Sequence, residues 1–335
     1  MKNSLQTLMN GLIDYAGLFP PAKLPLNEAV AEYISHFKDN KKWILGRFII
    51  PVSQLKDLEE FIPMFEEIGT LKLSVLGGQT SSDKEFLHQT KKEMDIINDY
   101  REKHKGKVSI EVIETKLPST SPSKNTMVSV IEILNSNNLE HYHEFPELPY
   151  VGINYATNED EGEWDEKITP TIKMISTLDN TGIKIRCGGI VKEAFPSVEQ
   201  VAAMIQNCSI YNVPLKFTAG LHHPLRHHSN EYETEMHGFI NMFSASAFAT
   251  TFPKPENEQE KFRMFILLAH MIDCQNENDF EFLEDKMVWK VGDDRDSRFE
   301  IGNETIEKSR QNNGISFGSC SFQEPMDDLK QLGWM

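Results

Sequence analysis

Short apolar runs alternate with longer amphipathic stretches along the whole chain, the pattern of βαβ units around a parallel sheet. Eight runs have strand character: 11–19 (GLIDYAGLF), 43–51 (WILGRFIIP), 71–77 (LKLSVLG), 108–115 (VSIEVIET), 139–148 (LEHYHEFPEL), 182–189 (GIKIRCGG), 213–220 (VPLKFTAG) and 315–322 (ISFGSCSF). Between them the apolar positions take helical spacing. Ala29, Val30, Tyr33, Ile34 and Phe37 share one face after Asn27 as a cap. Ser197 and Gln200 hold capping-box positions around the stripe Val198, Val201, Ala202 and Ile205. Residues 84–104, capped by Ser82 or Asp83, and residues 166–178 read as further helices. The alternation predicts an α/β fold, a (β/α)8 barrel of the TIM type, with residues 1–335 forming one barrel domain.

Two segments exceed a minimal barrel. Residues 155–166 form an acidic loop, and 221–313 is a long helical excursion between the seventh and eighth strands. The excursion holds two helices, around 236–251 and 258–273, and a charged, glycine-punctuated stretch at 290–304 that fits neither period. The Met and Phe residues of its first helix read as core. An alternative makes 236–335 a small second domain.

Charge narrows the partners. The chain carries 34 Lys and Arg against 51 Asp and Glu, a formal charge of −17, which repels nucleic acid and anionic membrane surfaces. No run has the ~18 apolar residues of a membrane span, and the first residues lack the pattern of a signal peptide. Cys187, Cys208, Cys274 and Cys320 form no CxxC pair and read as reduced thiols. The expectation is a cytoplasmic protein with a small anionic molecule as partner; a homo-oligomer is left open. On so acidic a chain, positive charge for an anion must be local and enclosed.

Such charge is found on two predicted strands. Lys184 and Arg186 share one parity in KIRCGG, as do Lys216 and Thr218 in KFTAG, so each pair can face the barrel interior. Adjacent buried lysines would each lower the other's pKa, and a neutral amine is what Schiff-base chemistry on a carbonyl requires. The plainer reading makes both lysines surface residues or partners of barrel carboxylates. The carboxylates on offer are Asp14 on the first strand, Glu111 or Glu114 on the fourth, and Glu144 on the fifth, the last preferred for moving protons.

The segments LIDYAGLFPPAKLPLNEAV, GIKIRCGGI and PLKFTAGL resemble the first, sixth and seventh strands of the deoxyribose-phosphate aldolase group of class I aldolase barrels. The resemblance covers about fifty residues. It implies that Lys184 is the Schiff-base lysine and Lys216 the neighbour that depresses its pKa, with no metal and no cofactor. The family carries an Asp on its fourth strand where this chain offers Glu111 or Glu114, and it lacks both the 221–313 excursion and a counterpart to LHHPLR.

TAGLHHPLRHH (218–228) is the most distinctive string. His222 can move protons, and His223 and Arg226 can contact an anion; side chains of adjacent histidines diverge, which counts against one shared metal. Gly318 and Ser319, at the end of the last strand, and Arg47 on the second are further anion contacts. Cys320 reads as a small buried thiol. Two rivals to the lyase reading remain. One is a metal-dependent barrel hydrolase or isomerase using histidines and carboxylates; the other is a barrel that binds an anion without turnover.

Overall fold

The computed structural model describes residues 2–66, 68–119, 121–144, 161–291 and 297–335, and only the backbone of 144 and 161–167. The chain lays down seven strands in succession: β1 (Ile13–Tyr15), β2 (Leu45–Pro51), β3 (Leu71–Leu76), β4 (Val108–Lys116), β5 (Glu140–Glu144), β6 (Thr181–Arg186) and β7 (Leu215–Thr218). It then leaves through a hairpin, β8 (His227–Ser229) with β9 (Thr234–Met236), and a three-stranded antiparallel sheet of β10 (Phe280–Phe282), β11 (Lys286–Val291) and β12 (Ser297–Gly302). It returns as β13 (Gly314–Ser319), which inserts between β1 and β7 and closes an eight-stranded parallel barrel. Each barrel strand falls within one of the eight runs or within a residue or two of it.

The helices are α1 (Asn3–Met9), α2 (Leu26–Lys38), α3 (Leu55–Leu58), α4 (Asp83–Lys103), α5 (Lys124–Asn135) and α6 (Glu161–Ile175). They continue as α7 (Val198–Tyr211), α8 (Phe239–Ala249), α9 (Glu258–Asp273), α10 (Asn303–Asn312) and α11 (Gln323–Gln331). No described helix is long and apolar enough to cross a membrane.

Local chemistry explains the helix ends. The Ser197 hydroxyl accepts from the Gln200 amide at 3.2 Å, while the Gln200 side chain accepts from the Ser197 amide at 2.9 Å. The same helix stops at Asn212, whose φ of 53° is left-handed. Ser82 caps α4 by accepting from Glu85 N at 3.3 Å. Helix α2 differs from expectation: it starts at Leu26 behind Pro25, so Asn27 lies inside its first turn rather than at the cap.

The outer faces of the strands and the inner faces of the helices form one apolar layer. In α8 every residue is buried, and the rings of Phe239 and Phe243 lie 5.5 and 5.9 Å from that of Phe317 on β13. The excursion is less helical than the sequence suggests. Its unassigned stretch supplies part of β11 and all of β12, short strands whose pairing partners lie along an antiparallel sheet rather than in the local period. Residues 292–296 fall outside the described set, as do residues 145–160, which include the end of the fifth run and part of the acidic loop.

Candidate active site

Strand alternation carries the charged residues inward. In the parallel pairing of β6 with β7, Lys184 stands beside Lys216 and Arg186 beside Thr218. Lys216 is 1 % exposed and fully engaged: its Nζ donates to Asp14 Oδ2 at 2.5 Å and to Glu114 Oε1 at 2.6 Å. Lys184 Nζ donates to the other oxygen of the same carboxylate, Glu114 Oε2, at 3.0 Å. Glu114 thus bridges the two ammonium groups, and the Ser74 hydroxyl donates to its Oε1 at 2.5 Å. Asp14 is held in turn by the Ser316 hydroxyl at 2.8 Å and by the backbone amide of Arg47 at 2.7 Å. A Cβ at Gly46 would fall within van der Waals overlap of Asp14 Oδ1, so the glycine on β2 makes room for this carboxylate.

Burial alone would raise the Glu114 carboxyl, but Lys216 and then Lys184 hold it far below the ordinary carboxylate range. Asp14 follows the same logic: burial opposes ionisation, and Lys216 with Arg47 more than offsets it. Both acids are therefore ionised partners of the lysines rather than strong bases.

Glu111 and Glu114 differ in parity, so a regular strand would turn only one of them inward. The register between β3 and β4 shifts at this point: Leu73 pairs with Ile110 but Ser74 with Val112, leaving Glu111 as the extra residue. Glu111 consequently reaches Arg47 Nε at 3.0 Å and Lys72 Nζ at 3.4 Å, nearer the start of the strands. Glu114 is the acid beside the lysines. Arg47 belongs to this lower layer with Glu111 and Asp14, and neither Arg47 nor Asp14 lines the cavity above.

That cavity, of about 290 Å³, opens at the carboxyl ends of the strands. Lys184 and Glu114 lie on its floor, and Arg186, Lys116, Thr218, Gly318 and His222 line it higher up. Arg186 is fixed by donation from Nε to the Gly188 carbonyl at 3.0 Å. After β7 the backbone turns through two left-handed residues, Ala219 at φ 58° and Gly220 at φ 70°. A Cβ on Gly220 would stand 2.7 Å from the Cys187 carbonyl oxygen, so the loops after β6 and β7 touch backbone to backbone only because this residue is glycine. Cys320 also lines the cavity, and burial pushes its thiol up, away from the thiolate form.

The histidine string separates. His222 lines the cavity, and its Nδ1 lies 3.0 Å from Glu324 Oε2 in the first turn of α11. Contact with His222 is the leading influence holding the Glu324 carboxyl low. His223 turns away to Asp328, 2.5 Å off, and packs edge-on against the ring of His227. Arg226 pairs with Asp273 at 2.9 Å on α9. His223 and Arg226 are thus not brought to the cavity; adjacent side chains on a turning loop diverge, and each found a helix partner. Ser319 is also spent locally, its hydroxyl donating to the Ser321 carbonyl at 2.7 Å, whereas Gly318 faces the cavity. The backbone of Glu144 pairs with Lys116 and Lys184, and its side chain lies outside the described residues.

Three participants were not marked in the sequence. Glu324 is one of many surface-type acids on an amphipathic helix, and only the fold brings it to His222. Ser74 and Ser316 sit mid-strand among apolar neighbours, where their inward parity was the available signal. Among the described residues, no three His, Cys, Asp or Glu side chains gather as a metal would require. Comparison of the sequence with models of known families and with curated proteins gives no match.

Proposed function

We propose that this barrel is an aldolase-like lyase that forms a Schiff base between Lys184 and a small anionic carbonyl compound. One observation carries the choice of residue. Of two interior lysines joined through one carboxylate, Lys216 is locked between Asp14 and Glu114 beneath the cavity, while Lys184 reaches the cavity floor. A nucleophile must meet its substrate, and of these two lysines Lys184 is the one that lines the cavity.

The chemistry follows from the arrangement. The Lys184 ammonium first yields a proton to water in the cavity; the amine then adds to the substrate carbonyl, and the carbinolamine oxygen takes up a proton and leaves as water to give an iminium ion. The iminium accepts the electron pair of the bond between the two carbons next along, which breaks as the hydroxyl on the departing fragment gives up its proton. Hydrolysis of the resulting enamine and imine returns the lysine. Glu114, ionised on both sides, orients Nζ. The proton transfers fall to His222, because its Nδ1 rests on Glu324 and leaves Nε2 as the working nitrogen, the nucleophile–base–orienter logic of many active sites. Arg186 and Lys116 provide local positive charge within a chain of net −17.

The test is reductive trapping. Purified protein is incubated with a panel of small aldehydes, 2-oxo acids and sugar phosphates, reduced with borohydride and mapped by peptide mass. An adduct on Lys184 that disappears in Lys184→Ala is the expected result. Full turnover of any cleaved substrate by Lys184→Ala would remove the proposal.

A further inference from the structure

The cavity is two-sided, and the strand order shows how. In the closed ring β1-β13-β7-β6-β5-β4-β3-β2, β6 stands opposite β2 and β7 opposite β3. The cationic groups Lys184 and Arg186 rise from β6, His222 follows β7, and Lys116 ends β4. The facing wall, from β1 to β3 and the loop after β1, is built of Ala16, Phe19, Pro20, Ile49 and Leu76, and Gln79 is the one amide-bearing side chain on that side among the described residues. Ile49 extends over β1: a Cβ added to Gly318 on β13 would stand 3.1 Å from Ile49 Cδ1.

From this asymmetry we infer that the substrate is a 2-oxo carboxylate with a short alkyl body, rather than a polyhydroxylated sugar phosphate. The inference rests on the Schiff-base reading and specifies its substrate class. The carboxylate and the carbonyl are adjacent atoms in such a molecule, as Arg186 and Lys184 are neighbours on one face of β6, two residues apart. The alkyl chain then points away from the cations, toward Ile49 and Leu76. A sugar chain in the same position would set hydroxyl groups against a wall that offers them almost no partners, and each unpartnered buried hydroxyl is costly. A cavity of about 290 Å³ also lies at the small end of ligand sites. In the forward reaction, a 4-hydroxy-2-oxo acid with an alkyl substituent on C4 would bind through C2 to Lys184. The C3–C4 bond breaks, the C4 hydroxyl proton passes to His222, and an aldehyde departs. The C3 carbon of the enamine regains a proton, and water releases the shorter 2-oxo acid.

Competition for trapping tests this. The protein is offered 2-oxopentanoate, 2-oxobutanoate, pyruvate, 2-pentanone and glyceraldehyde 3-phosphate at equal concentration, and adducts on Lys184 are quantified after borohydride. The expected order places 2-oxopentanoate first. It should exceed 2-pentanone, which lacks the carboxylate, by tenfold or more, and exceed pyruvate by a factor of about ten for the added alkyl contact. Leu76→Asn should erase the preference for 2-oxopentanoate over pyruvate, with a cooperative urea-unfolding transition showing that the variant is folded. Glyceraldehyde 3-phosphate trapping on Lys184 as well as or better than the 2-oxo acids would overturn the inference and leave the Schiff-base reading standing. No adduct on Lys184 with any carbonyl would overturn both.

Discussion

Replacing Lys216 with methionine removes the cation shared by two carboxylates that are both essentially inaccessible to solvent, Asp14 at 0 % and Glu114 at 2 % exposure. Methionine keeps the length of the side chain and its apolar stem, so the change is chiefly one of charge. Removing one partner of a buried pair costs about 3–5 kcal/mol, because the remaining charge stays in a poor solvent for it. Against a total stability of about 5–15 kcal/mol, that is a large fraction. The pH dependence identifies the cause. In the native protein both carboxyls sit below their unfolded values, near 3.8 and 4.5, so their contribution is complete above those values and is lost only as pH falls through the depressed ones. Without Lys216, burial dominates and the carboxyls shift upward. The folded variant then binds more protons than the unfolded chain between about pH 4 and the raised values, so its stability falls as pH rises through that window. Urea unfolding of both proteins at pH 7 and pH 5 reads this directly: the deficit of Lys216→Met should be several kcal/mol at pH 7 and distinctly smaller at pH 5. A deficit below about 1 kcal/mol at pH 7, or one identical at the two pH values, would refute the account of Lys216 as the counter-ion of this core.

Three further outcomes can be checked. His222→Asn should lower kcat by about 10²–10⁴ with the Lys184 adduct still trappable, and Glu324→Gln should lower kcat less and displace the pH–rate profile, since it acts through the histidine. Gly220→Ala should cost about 1–3 kcal/mol in thermal or urea unfolding, because it imposes a left-handed φ on alanine and presses on the Cys187 carbonyl. His141, on the outer face of β5, is held neutral by burial with its pKa lowered to about 4, so the unfolded chain takes up the proton first. Stability should decline as pH falls from about 6.5 toward 4, with His141 contributing about 3 kcal/mol beside the likewise buried His143 and His237, and His141→Leu should remove that share in pH-dependent unfolding.

The barrel was legible in the sequence because its signal is local: eight apolar runs, several ending in Gly or Pro, with amphipathic helices between. Parity within a strand also put Lys184, Arg186 and Lys216 on inward faces correctly. What remained hidden depends on contacts between distant segments. The bulge that turns both Glu111 and Glu114 inward is a property of the β3–β4 ladder, not of either run. The sheet formed by β10 to β12 consists of short strands whose partners are recognised only in three dimensions. His222, His223 and Arg226 lie within five residues, yet three different acids on α9 and α11 draw them apart, and no spacing rule anticipates that. Ile49 and Leu76 carry no mark that separates them from other apolar strand residues; that they form one wall of a cavity follows from their height in the ring rather than from their type.

The interior charges have a consequence for how the chain folds. Asp14 accepts from Lys216, 202 positions away, and from Ser316, 302 positions away, so these two bonds form only when β13 slots between β1 and β7. Contacts of such sequence separation carry a large loop-closure cost, because the intervening chain must be ordered before they can form. A ring that closed one residue out of step would turn every side chain of the misaligned strand to the opposite face. A slipped β1 would carry Asp14 to the apolar layer beneath the helices, away from Lys216, at a cost of several kcal/mol. The polar core beneath the cavity thus favours the one alignment of the first strand in which Asp14 meets Lys216 and Ser316 across the closed ring.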